Sequence, residues 1–98
     1  MLLYAIRRRD GWTTPEALQA TAARSKQVGD EEMSADVRWI RSYVVEEADG
    51  GLGTICIYQA SSPEKLREHA ARVGMPADEI TAVVDTVLVR PDPVPVAA

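Results

Sequence analysis

An α+β domain of βαββαβ order is predicted by three features of this 98-residue chain. A helix-start pattern occurs twice, as Thr13-Thr14-Pro15-Glu16-Ala17-Leu18 and as Ser61-Ser62-Pro63-Glu64-Lys65-Leu66. A short apolar, strand-like run precedes each copy, and another follows each helix. Asp49-Gly50-Gly51 joins the two halves with residues that suit a tight hairpin, so the middle strands are expected to be antiparallel neighbours.

The first strand is read from Leu2 to Arg8. In each helix start a hydroxyl can accept a first-turn N–H, proline lacks a donor that would be orphaned there anyway, and glutamate suits the positive helix end. With Thr13 and Ser61 as caps, Glu16 and Glu64 complete capping boxes; with Thr14 and Ser62, proline takes the first helical position. Helix one runs from about Thr14 to Val28 with Leu18, Ala22, Ser25 and Val28 along its inner stripe. Gly29 to Asp36 is an acidic connector with room for an extra helical turn through Met33. Val37 to Glu47 and Thr54 to Gln59 are the middle strands. Helix two carries Leu66, Ala70 and Val73 inward and ends at Gly74 and Pro76. Ile80 to Val89, rich in β-branched residues, is the last strand.

Two right-handed crossovers then interleave, and the economical solution is a four-stranded antiparallel sheet with both helices on one face, the ferredoxin-like arrangement. Residues 1–90 form this single domain, and 91–98 a flexible proline-rich tail, or an arm laid across a partner. A domain this small gains from added apolar burial, and a homodimer supplies it.

The net charge of −4 argues against nucleic acid, whose phosphates call for clustered Lys and Arg. Arg7, Arg8 and Arg9 form the one basic run and are read as a solvated strand end or an anion contact. Cys56 is the single cysteine, so no internal disulfide can form. Met1 to Ile6 is too short for a signal segment, and no stretch approaches a membrane span, so a cytoplasmic location is expected.

A two-residue hairpin loop, pairing Ala48 with Gly51, would set Tyr43 opposite Cys56, Arg41 opposite Tyr58 and Val44 opposite Ile55. Ile40, Val44, Ile55 and Ile57 would then lie under the helices. Trp39, Arg41, Tyr43, Val45, Cys56 and Tyr58 would line the helix-free face, which a second copy would cover as a dimeric α+β barrel. The leading expectation is a small organic ligand, anionic or aromatic, held there by Trp39, Arg41, Tyr43, Tyr58 and Cys56. Arg41 and Tyr58 could clamp a carboxylate or phenolate, or form a plain cation–π pair. His69, the single histidine, flanks the buried stripe of helix two and is the catalytic candidate of an alternative reading, a cofactor-independent isomerase, cyclase or oxygenase; a satisfied structural histidine is the plainer role. Asp85 in the last strand either faces water or pairs with Arg7. No glycine-rich phosphate loop, paired-cysteine zinc pattern or nucleophile elbow occurs.

The segments Val37-Arg38-Trp39-Ile40-Arg41-Ser42-Tyr43-Val44, Thr54-Ile55-Cys56-Ile57-Tyr58-Gln59-Ala60 and Arg67 to Asp78 resemble a small bacterial family of unknown function. Its best-known members are described as nickel-binding proteins. The resemblance extends from Tyr4 to Val84, and it implies a ferredoxin-like fold, dimerisation and a shared pattern at His69 and the aromatic strand residues. The metal-binding members are rich in histidine, including at the end of the first strand, where this chain has Arg8 and Arg9. One histidine and one neutral cysteine per subunit cannot build a nickel site without carboxylates or a second chain, so no cofactor is expected; nickel or another divalent metal, as in the resembled family, is a further alternative, with His69 the one candidate metal ligand.

Overall fold

The structure, a computed structural model, describes residues 1–94. Its elements are β1 (Leu2–Trp12), α1 (Pro15–Gln27), β2 (Val37–Glu46), β3 (Leu52–Ala60), α2 (Pro63–Val73) and β4 (Glu79–Val83). They form an antiparallel sheet of order β2-β3-β1-β4, the ferredoxin-like fold expected from the sequence.

Both helix starts resolve in the same way. Thr14 Oγ1 accepts from Ala17 N at 3.2 Å and Ser62 Oγ from Lys65 N at 3.3 Å, so Pro15 and Pro63 open their helices. The connector supplies the extra turn as a π-helical turn, Val28–Glu32, that buries Val28 and Gly29. Gly74, in the left-handed region at φ 86°, ends α2.

β1 is longer than its apolar run. Arg8 pairs with Thr54 and Trp12 with Leu52, so Arg9, Asp10 and Gly11 bulge out opposite Gly53 alone. The bulge returns Trp12 to the helix side, where its indole N–H donates to Thr21 Oγ1 at 2.9 Å. β4 is shorter than predicted. Its ladder closes at Leu3↔Val83, next to the start of β1 at Leu2, and Val84 to Val89 run on with no strand beside them among the described residues. Asp85 is exposed and accepts from Thr86 N, while Arg7 pairs with Glu47, which corrects the Asp85–Arg7 pairing.

The hairpin loop holds three residues, not two. Glu47 N–H donates to Gly51 O at 2.8 Å, and Ala48, Asp49 and Gly50 turn between them, with Gly50 at φ 88°. Tyr43 therefore lies opposite Ile55, Ser42 opposite Cys56 and Arg41 opposite Ile57. A bulge at Ile40 then shifts the register again, so that Trp39 pairs with Tyr58. Each shift is one residue, and each exchanges the two faces beyond it. Tyr4, Ile6, Val37, Cys56 and Tyr58 consequently pack beneath the helices with Val28, Met33 and Leu66.

Candidate functional site

α1 has little apolar bulk on its inner side. Only Ser25 is buried, and Leu18, Thr21 and Ala22 are half-buried. Small side chains here face the large ones of the sheet, and the mismatch leaves a cavity of about 340 Å³ between them. Ring systems shape its walls. The Trp39 and Tyr58 rings stack at 6.1 Å and 11°, and the Trp39 indole N–H donates to Ser42 Oγ at 2.8 Å. Trp12 closes the end near the β1 bulge, and Cys56, donating to Thr54 Oγ1 at 3.2 Å, lies in the floor. The volume falls in the range of small-molecule sites.

Arg8 is the unusual member of the lining. It is 1% exposed, on the helix side of β1 in the row of Tyr4 and Ile6. Its Nη1 donates to Pro76 O at 2.6 Å, and its guanidinium carbon lies 5.8 Å from the centre of the Tyr58 ring. Nε and Nη2 are buried and have no partner among the described residues, and no carboxylate pairs with Arg8 there. A buried charge left in that condition is unfavourable by several kcal/mol relative to a paired one.

Behind the wall, Tyr58 OH and Ser25 Oγ share a hydrogen bond at 3.0 Å, and the His69 Nε2–H donates to Ser25 O at 3.1 Å. His69 is fully buried, stands edge-on to Tyr58 at 5.4 Å, and does not line the cavity. Burial lowers its pKa, with Arg8 adding to the effect and the Ser25 carbonyl opposing it. Burial raises the Tyr58 pKa, partly offset by the Ser25 hydroxyl and the Arg8 charge.

The five residues predicted to share one pocket are divided by the sheet. Trp39, Cys56 and Tyr58 belong to the helix-side cavity; Arg41 and Tyr43 lie on the helix-free face with Ile40 and Ile57. The assignment of Trp39, Cys56 and Tyr58 to the helix-free face, and of Ile40, Ile55 and Ile57 to the covered one, is thus corrected; Val44 stays on the helix side, at the cavity edge. Arg41 lies opposite Ile57 rather than Tyr58, and its partner is the carboxylate of the chain's own Asp92, which Tyr43 on the same face shares. Asp92 of the tail receives Arg41 Nη1 at 2.9 Å and the Tyr43 hydroxyl at 2.8 and 2.9 Å. Arg8 was legible only as part of a basic run; its even spacing from Tyr4 and Ile6 was the signal that it points inward.

Comparison with known proteins agrees with this frame. The family described as nickel responsive protein SCO4226-like matches residues 4–83. The chain belongs to the SCO4226-like family. A crystal structure of SCO4226 from Streptomyces coelicolor A3(2) superposes with a TM-score of 0.68 at 20% identity, over 87% of this chain and 99% of that one, which shows the shared fold. No curated protein matches. Among the described residues no helix is long and apolar enough to cross a membrane.

The family description raises the question of nickel, and the donor set here does not fit it. The single imidazole has Nε2 engaged by Ser25 O, Cys56 is buried, and among the described residues no group of three or more His, Cys, Asp or Glu is placed to hold an ion. Nickel favours several imidazole or similar donors.

Proposed function

We propose that this member of the SCO4226-like family is a cytoplasmic, homodimeric binding module for a small, flat organic anion, taken into the cavity between α1 and the sheet. Arg8 carries the reading. A guanidinium that is buried, lines the cavity and keeps two donor nitrogens unpartnered among the described residues lacks its counter-charge. A carboxylate supplies both the charge and a planar acceptor pair for the fork. The aromatic walls of Trp12, Trp39 and Tyr58 suit a planar apolar body attached to that carboxylate. His69, behind the wall, serves to hold Ser25 and Tyr58 in place.

The test is thermal unfolding with benzoate and indole-3-acetate against their neutral amides. The acids should raise the unfolding temperature and the amides should not. Arg8→Met should unfold at the wild-type temperature or above without added acid, because it removes an unpaired buried charge, and should lose the acid-dependent rise. Arg41→Ala, on the opposite face, should retain it. A full acid response in Arg8→Met would end the proposal.

A further inference from the structure

We infer that the C-terminal arm, Val84 to Asp92, is exchanged between two copies of this chain, the Asp92 carboxylate of each seated between Arg41 and Tyr43 of the other. The arm has the chemistry of a strand and lacks a strand partner among the described residues. Val84, Val87, Leu88 and Val89 are 97%, 88%, 71% and 79% exposed, because the β1–β4 ladder has already closed at Val83. So many open aliphatics in one short segment mark a surface made to be covered.

The arm also has a built anchor. Asp92 reaches Arg41 and Tyr43, which lie about half the chain away in sequence, through three charge-assisted contacts on the helix-free face. Pro91 and Pro93 flank it, fixing backbone angles on both sides and presenting the carboxylate on a stiff segment. Along its course Thr86 and Leu88 border a groove of about 280 Å³ with Leu3, Ile40 and Ile57. The face beneath is itself apolar: Ile40, Tyr43 and Ile55 are 46%, 43% and 39% exposed.

The arm lies beyond the residues 4–83 that match the family, and 87% of this chain already accounts for 99% of the Streptomyces structure. It is an addition to the family's matched region that brings its own contact to the sheet. A second copy fits it better than any other occupant. Exchange keeps the Asp92 contacts unchanged, while the arm and the apolar face of two copies cover each other.

This inference rests on the dimer reading above, and charge-swapped chains separate the two. Arg41→Glu sets a carboxylate at position 41 against the Asp92 of an identical chain, and Asp92→Arg sets a guanidinium at position 92 against the Arg41 of an identical chain. In an exchanged heterodimer of the two variants, each arm faces the position-41 side chain of the other variant, so opposite charges meet again. Sedimentation equilibrium should show wild-type dimers, weakening by about tenfold or more in either variant alone, and recovery toward the wild-type constant in the equimolar mixture. A mixture as weak as its components, or variants as dimeric as the wild type, overturns the exchange and leaves the dimer standing. A wild type that stays monomeric at every concentration overturns both.

Discussion

Ser25 is the residue at which the polar atoms of the core meet. Its main-chain carbonyl accepts from His69 Nε2–H and its side-chain hydroxyl meets Tyr58 OH, so one residue of α1 fixes a group on α2 and another on β3. Because a carbonyl only accepts, neutral His69 carries its proton on Nε2 and leaves Nδ1 bare and buried. Burial holds the His69 pKa below its ordinary value of 6.5, so in that window the folded chain binds fewer protons than the unfolded one. The resulting stability is complete above the unfolded value and is lost as pH falls toward the folded one. The urea midpoint of the wild type should therefore drop between about pH 7.5 and about pH 5 by more than that of His69→Gln, which keeps an N–H for Ser25 but does not titrate. Equal drops would remove His69 from the acid response.

At the scale of elements, the junction of β1 and β3 is where a glycine has the least room for a side chain. A Cβ at Gly53 would lie 2.5 Å from the Arg8 carbonyl oxygen, opposite the Arg9 to Gly11 bulge. Gly53→Ala should lower stability by about 1–3 kcal/mol in chemical denaturation, and should weaken acid binding as well, since the backbone that must move carries Arg8. An unchanged midpoint would mean the strands part more easily than this packing implies. The elements themselves were legible because their signals are local. The paired Thr/Ser-Pro-Glu starts, the Gly74 stop and the alternation of β3 each depend on a few neighbouring residues. The site was not legible in the same way. Pairing Tyr43 with Cys56 assumed a two-residue loop, and grouping Trp39 with Arg41 assumed unbroken alternation along β2. Gly50 at φ 88° accommodates a third loop residue, and Ile40 bulges, so two single-residue shifts placed Trp39, Cys56 and Tyr58 of the expected pocket on the side opposite Arg41 and Tyr43. β4 was overextended for another reason: β-branched residues mark strand propensity, but a ladder ends where its partner ends.

On the scale of the whole molecule, the two faces of the sheet present different chemistry. The covered side holds a cavity lined by Arg8, which has no carboxylate partner among the described residues; the open side holds an apolar surface crossed by an acidic latch. Neither side gathers donors for a divalent metal among the described residues. Calorimetric titration of tag-free protein with nickel should give no saturable heat, and a stoichiometric isotherm would require ligands assembled in some other way. The solitary guanidinium beneath α1 has a consequence outside binding itself. With an acid in the cavity as proposed, occupancy at a hundredfold excess over the dissociation constant would add about 2.7 kcal/mol to the stability of the chain. Proteases act on the opened form, so under that proposal the abundance of the protein in the cell would rise and fall with the supply of the acid, turning degradation into a gauge of its concentration.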